Sequence, residues 1–260
     1  MPGSTLSGQA PVGAAGFFGK LPERGDFLSR RLPPEFIRIW DPWIQAGLIE
    51  GQHLLGERWL DAYLVGPIWH FVLGHGVAGS SCWAGILMPS VDRVGRYFPL
   101  TIGDRVTDVA NPFQVLQSAG DWFDRLQALA LDALEGALTV EGLNTALIDL
   151  GAIPVSGHEH RQARRRTDAR ASGWRLGLSD PRRIAEVLPD LLHDTLTALH
   201  PVYSLWWSGG TEHMAPSLLV HQDLPREAAF TTLYTGDWSA GDWIDLGNRV
   251  QGSHSNPALL

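Results

Sequence analysis

The sequence predicts a layered α/β sandwich around a mixed β-sheet. Short apolar runs typical of strands and longer segments with apolar residues at helical spacing alternate along the 260-residue chain. Some of the strand-like runs follow one another directly and others are separated by helices, which favours both hairpins and crossover connections. Composition shows no break that demands two domains. We therefore expect a flexible tail over 1–15, one α/β domain over 16–235 and a C-terminal tail over 236–260.

The N-terminal half contains helical segments among four strand-like runs. Pro33-Pro34 opens the first helix, in which apolar residues recur at helical spacing as far as Leu48. Pro42, preceded by Asp41, either interrupts this helix or begins a second one, because Asp caps helices and proline is tolerated at the first helical position. A short helix is predicted over 57–64, and strands are predicted at 17–18, 68–73, 82–88 and 97–102.

The C-terminal half begins with a clear helix start. Asn111 followed by Pro112 is typical of a cap and first turn, and the apolar face behind it continues to Leu134. Residues 153–173 lack periodicity and predict a loop or a connection. Asp180-Pro181 is a second helix start. The remaining predicted helices cover 140–150, 184–199 and 227–233, and the remaining strands cover 174–178, 202–207 and 217–221.

Charge and composition exclude several classes of protein. The net charge of −8 argues against a general nucleic-acid binder, which normally presents a basic face. Cys82 is the only cysteine, so no intramolecular disulfide can form. Residues 1–15 lack an apolar signal-peptide core, and no run approaches the roughly 20 apolar residues of a membrane-spanning helix. We expect a cytoplasmic protein that does not span a membrane.

Two glycine-framed polar segments, 16–27 and 83–101, follow apolar strand-like runs and carry the main candidate site. Lys20 is the only lysine in the chain, and it lies inside a Gly-Lys-Leu-Pro turn. Charged residues on turns at strand ends are common in binding and catalytic sites. They also form ion pairs that hold a turn in shape, and the two roles are compatible. The candidate residues are Lys20, Arg24, Asp26, Asp92, Arg93 and Arg96.

Other patterns are weaker candidates. The first polar segment is not a phosphate-binding loop, because Ala14 and Leu21 stand where that motif requires Gly and Ser or Thr. His158-Glu159-His160 lacks a third metal ligand at suitable spacing. The arginines over 161–175 are best interpreted as a solvated loop, with binding of phosphate or an acidic partner as the alternative. We expect no metal and no cofactor.

Trp206 and Trp207 form a further candidate. Adjacent residues of a strand point to opposite faces, so one indole is expected in the core and the other on a recognition surface. Cys82, by contrast, lies within an apolar run, where a thiol behaves as a small hydrophobe. It is not expected to be a nucleophile.

Several motifs occur together and in a fixed order: Gly19-Lys-Leu-Pro-x-Arg-Gly-Asp-Phe27, Trp40-Asp41-x-Trp43, Pro89-Ser-Val-Asp-x-Val-Gly-Arg-x-Phe-Pro-Leu-Thr101 and Ser204-Leu-Trp-Trp207. Through these motifs the chain resembles the TagF family, also called ImpM, of type VI secretion accessory proteins. The resemblance runs from about Gly16 to the strand region after Trp207, and its N-terminal third is the most specific part.

The resemblance implies an α/β sandwich without known enzymatic activity that restrains type VI secretion after translation. Family members are associated with the forkhead-associated scaffold protein of that system, and some are fused to a PppA-type phosphatase, which we expect here as a separate polypeptide. The six charged candidates above would form the polar patch typical of the family. Two alternatives stay open: a hydrolase or phosphate-handling enzyme that uses Lys20, Arg24, Asp26, Asp92 and Arg96, and a structural adaptor.

Overall fold

The computed structural model describes residues 13–107, 109, 111–155, 180, 182 and 184–247. The strands are β1 Gly16–Gly19, β2 Leu28–Arg30, β3 Trp69–Leu73, β4 Cys82–Met88, β5 Leu100–Val106, β6 Tyr203–Ser208 and β7 Ser217–Gln222. The helices are α1 Pro34–Leu55, α2 Trp59–Leu64, α3 Pro112–Ser118, α4 Gly120–Leu134, α5 Val140–Leu150, α6 Ile184–Leu199 and α7 Ala228–Thr235. A 3-10 turn over Gly56–Arg58 joins α1 to α2.

These strands form one sheet in the order β2-β1-β5-β4-β3-β6-β7, and every neighbouring pair is antiparallel. The expected layered α/β architecture is confirmed, but the expectation of a mixed sheet is wrong. Helices connect β2 to β3 and β5 to β6, and neither of these pairs is adjacent in the sheet. A helical connection produces a parallel pair only when it joins neighbouring strands, so no such pair forms here.

Helices cover both faces of the sheet, and alternation along each strand supplies the two cores. Phe17 faces the core formed with α3, α4, α5 and α6, whereas Phe18 faces the core formed with α1, α2 and α7. The second core is rich in aromatic rings: Trp40 of α1 packs against Phe71 of β3 at a centroid distance of 5.0 Å. The result is an α/β/α sandwich whose strand ends emerge between two packed helical layers.

The structure confirms most predicted elements and corrects some boundaries. Pro42 lies inside the continuous helix α1 on its exposed side and does not end the helix, although its ring nitrogen donates no backbone hydrogen bond. Asn111 caps α3 as predicted, since its Oδ1 accepts a hydrogen bond from the Gln114 backbone N–H at 3.2 Å. The long helix predicted behind it divides at Ala119 into α3 and α4. The short strand β2 was not predicted, and β5 begins and ends later than expected.

The last described segment, residues 236–247, lies against the second core. Trp238 and Trp243 are partly buried there, and the Trp243 Nε1–H donates to Thr232 Oγ1 of α7 at 2.9 Å. The predicted strand over 174–178 lies outside the described residues, as does most of the predicted loop over 153–173. Within the described part of the chain, no helix is long and apolar enough to cross a membrane.

Candidate functional site

The two polar segments meet at one end of the sheet because their strands are neighbours. β1 pairs with β5, with Phe18 opposite Thr101, so the loop after β1 lies beside the loop that precedes β5. Gly19 permits the close approach: it adopts φ +133°, and a Cβ added there would lie 2.1 Å from the Pro99 carbonyl oxygen. We call the two loops, residues 20–27 and 90–98, the corner.

Backbone groups join the two loops of the corner directly. The Arg93 N–H donates to the Arg24 carbonyl at 3.2 Å, and Ser90 Oγ donates to the Lys20 carbonyl at 2.7 Å. Arg96 Nη2 donates to the Gly25 carbonyl. These three bonds connect the two loops to each other.

Asp92 is the centre of the corner, and its side chain has 0% of its surface exposed. Its Oδ2 accepts from Lys20 Nζ at 3.1 Å and from Arg96 Nε at 2.7 Å. Its Oδ1 accepts from the backbone N–H groups of Val94 at 3.0 Å and Arg96 at 2.9 Å. A buried carboxylate with four donors has its hydrogen-bonding capacity filled by the protein itself.

The ionisation of Asp92 follows from these contacts. Burial acts to raise the pKa of the carboxyl, but the hydrogen bonds donated by Arg96, Lys20 and Val94 outweigh burial. The pKa of Asp92 is therefore held well below its usual range. At neutral pH the group is a permanent anion that fixes two cations.

Further contacts brace the corner against both helical layers. The hydroxyl of Tyr63, a buried residue of α2, donates to the Ser90 carbonyl and accepts from the Ser90 N–H, both at 2.9 Å. On the other side of the sheet, the Glu23 carboxylate accepts from the Val140 N–H at the start of α5. A corner held from both layers presents its outer side chains on a rigid base.

The outer surface of the corner combines cations with apolar side chains. Arg24 and Arg93 are exposed, and the Arg96 side chain keeps 61% of its surface exposed although it contacts Asp92. Phe27 is 47% exposed and packs against Phe98 at a centroid distance of 4.5 Å. Val94, at the tip of the second loop, is 66% exposed.

The structure thus divides the six charged candidates into two groups. Lys20 and Asp92 are buried and hold the loops together, while Arg24, Arg93 and Arg96 reach the surface. Asp26 lies in the first loop and is exposed. Sequence reasoning did not single out the surface side chains Phe27 and Val94 or the supporting residues Tyr63 and Ser90. One sequence feature could have indicated Phe27 and Val94: both are apolar residues inside glycine-framed polar turns.

The tryptophan pair does not contribute to the corner. Trp206 is fully buried in the core beneath α1, and its Nε1–H donates to Ser204 Oγ at 2.9 Å. A side chain without exposed surface presents nothing to a partner, so only Trp207 retains the predicted surface role. Trp207 is itself partly buried, stacked on His70 at 5.2 Å and packed edge-on against Phe123 at 4.7 Å.

Other candidate chemistry lies away from the corner or outside the described residues. Among the described residues, no group of three or more His, Cys, Asp or Glu side chains could hold a metal ion. Burial raises the pKa of the Cys82 thiol to about 12, which leaves it unreactive at neutral pH. His158-Glu159-His160 and the arginines over 161–175 fall outside the described residues. A cleft of about 440 Å³ lies beside the start of α7, lined by residues 221–224, 226–229 and 241–242.

Comparison with known proteins places the corner within a shared region. The sequence profile described as TagF N-terminal domain, Type VI secretion system-associated, matches residues 16–150, which include both loops of the corner. The structure is similar to the crystal structure of PA0076 from Pseudomonas aeruginosa PAO1, with 34% sequence identity and a TM-score of 0.74. The match covers 90% of this chain and 99% of that one. No curated protein matches the chain.

Proposed function

Because the chain belongs to the TagF family of type VI secretion system-associated proteins, we propose that it is a non-enzymatic binding protein that restrains type VI secretion after translation. Its proposed partner is the forkhead-associated scaffold protein of that system, with the phosphorylation-linked machinery around the scaffold as the wider context. A separate PppA-type phosphatase belongs to that machinery in this proposal.

One observation carries the preference for binding over catalysis: the buried ionic groups of the corner are already bonded to one another. General acid–base catalysis needs a group whose pKa lies near the working pH. The pKa of Asp92 lies far below that range, and its four acceptor contacts are filled. Lys20 is 8% exposed and donates to Asp92. These features suit a loop anchor and give little support to a hydrolase or phosphate-handling enzyme at this site.

The position of the cleft supports the same preference. An enzyme of small molecules normally places its reactive groups in a concave pocket. None of the residues that line the 440 Å³ cleft belongs to the corner. The exposed groups of the corner instead lie on the outer side of two turns, which is the arrangement expected of a surface that another protein contacts.

Secretion assays in the bacterium that carries this chain test the proposed role. Deletion of the gene should increase the amount of type VI secreted proteins in the medium, and overproduction should decrease it. In both cases the cellular levels of the secretion components should stay constant, because the proposed restraint acts after translation. Unchanged secretion in both strains would overturn the regulatory proposal.

Affinity capture tests the partner. The tagged full-length protein should retain the forkhead-associated scaffold from the native cytoplasm, and the tag alone should not. The same capture from a strain that lacks the scaffold gene shows whether any other component binds directly. Failure to retain any component of the secretion system would contradict the proposed binding role, as would catalytic turnover of a phosphoester or acyl ester by the purified protein.

A further inference from the structure

The exposed side of the corner has a charge opposite to that of the whole protein. Four basic residues lie in residues 20–27 and 90–98, against three acidic ones, whereas the whole chain carries a net charge of −8. The basic residues are Lys20, Arg24, Arg93 and Arg96, and the acidic ones are Glu23, Asp26 and Asp92. The exposed residues keep a small excess of positive charge, because Lys20 and Asp92 are both buried and their charges offset each other.

Contacts within the protein engage two of the three carboxylates. Asp92 is buried against Lys20 and Arg96, and Glu23 caps the first N–H of α5 at Val140. The side chains of Arg24 and Arg96 nevertheless remain 55% and 61% exposed. Two exposed carboxylates oppose them: Glu23, whose Oε1 lies 3.5 Å from Arg24 Nε, and Asp26.

Apolar surface lies among these arginines. Val94 is the residue directly after Arg93, and it is 66% exposed. Phe27 is 47% exposed, with its ring supported by Phe18 at 5.2 Å and Phe98 at 4.5 Å. Aromatic and arginine side chains together, on a fixed backbone, are typical of the centre of protein–protein interfaces.

From this arrangement we infer that the corner binds an acidic protein segment that also carries an apolar side chain. The inference rests on the proposed binding function and adds to it the surface and the chemistry of the partner. Carboxylates of the partner face Arg24, Arg93 and Arg96, since guanidinium groups match carboxylates in bidentate geometry. An apolar side chain of the partner covers Val94 and Phe27, and this contact adds affinity that is independent of salt.

The internal ion pairs prepare this surface for binding. Arg96 Nε donates to the Asp92 carboxylate, and Arg96 Nη2 donates to the Gly25 carbonyl. This arginine is therefore positioned before a partner binds. Positioning in the free protein lowers the conformational entropy lost on association. Lys20 and Asp92 therefore support the surface without touching the partner.

Synthetic peptides test the inference with the full-length protein. The first peptide, about twelve residues long, alternates Glu with Leu; a second carries Gln in place of Glu, and a third carries Ser in place of Leu. We expect measurable binding, by fluorescence anisotropy, of the first peptide only. Its affinity should fall as NaCl is raised from about 50 to 300 mM, because screening weakens exposed charge pairs.

Substitutions assign the binding to the corner. The double variant Arg24→Ser/Arg93→Ser should weaken binding of the Glu–Leu peptide by about tenfold, since each exposed pair contributes modestly. Val94→Ser should weaken binding less, and the loss should persist at high salt. Asp26→Asn should strengthen binding at low salt, because it removes an exposed carboxylate that repels the peptide. Arg125→Ser, which removes an exposed arginine of α4, should leave the affinity unchanged.

Several results would overturn the inference: absence of binding by the Glu–Leu peptide, equal binding of the Gln–Leu peptide, or equal losses for the corner and Arg125 variants. The same variants in the scaffold capture separate this inference from the proposed function. If the scaffold is retained equally by the wild-type protein and the double variant, the corner inference fails and the binding function stands. If the wild-type protein retains no secretion component, the proposed function itself fails.

Discussion

Lys20 and Asp92 lie 72 positions apart in the chain, and the Lys20 ammonium donates to the Asp92 carboxylate at 3.1 Å inside the corner. One hairpin loop supplies the cation and the other supplies the anion, so the pair exists only when β1 and β5 are correctly paired. A buried charge that loses its partner is strongly unfavourable. The contact therefore makes the shape of each loop depend on the presence of the other.

Replacement of the lysine tests this dependence. Lys20→Met keeps the aliphatic stem but removes the donor, and we expect the midpoint of thermal unfolding to fall by several degrees because Asp92 stays buried with fewer donors. Asp92→Asn should also lower it. The double variant should lose less than the sum of the two single losses, as residues in direct contact are not additive. Strict additivity would show that the pair does not act as a unit.

Acid should weaken the corner through Asp92. The pKa of this carboxyl is lower in the folded protein than in the unfolded chain, so the folded state favours its ionised form. The resulting stability is present above the unfolded pKa of about 4 and is lost as the pH falls below that value toward the lower folded pKa. Urea unfolding of wild type and Asp92→Asn at pH 7, 5 and 3 should show a difference that is constant at pH 7 and 5 and smaller at pH 3. A difference that grows at pH 3 would contradict the assigned direction.

Asp104 should show the opposite dependence. Burial raises the pKa of this carboxyl on β5, and its Oδ2 has no hydrogen-bond partner within the described residues. The folded state therefore disfavours the ionised form, and wild-type stability decreases as the pH rises from the unfolded value through the raised folded pKa. Asp104→Asn keeps an acceptor for the Arg105 N–H and removes the charge. We expect Asp104→Asn to be more stable than wild type at pH 7 by urea unfolding, with the gain disappearing toward pH 3.

Helix α1 should not tolerate a side chain at Gly47. A Cβ added there would lie 2.3 Å from the Phe230 ring of α7, although alanine is the better helix former. We expect Gly47→Ala to lower the free energy of unfolding by about 1–3 kcal/mol through overpacking, as measured by urea denaturation. Gly120→Ala at the start of α4 is the matched control, because nothing lies within 4 Å of its new Cβ. Equal effects at the two glycines would contradict the packing explanation.

Local patterns in the chain were sufficient to predict most of the elements. Periodic apolar residues placed the helices, and the Asn111 cap was correct because it depends on a contact with Gln114 only three residues away. The strand β2 was missed because only Leu28 of its three residues is buried, which leaves no alternation to recognise. The single helix predicted after Asn111 divides at Ala119. No proline lies at this position, so the sequence did not indicate the break.

The layered α/β class, the family resemblance and the presence of two glycine-framed polar loops follow from the amino-acid order alone, because each depends on residues close together in the chain. The antiparallel order of the sheet depends on which distant strands become neighbours. The same distant contacts bury Asp92 and Trp206 while leaving Arg24 and Val94 exposed. Burial and ion pairing are properties of the packed molecule, so only the tertiary structure could separate the residues that hold the corner together from those that lie on its outer surface.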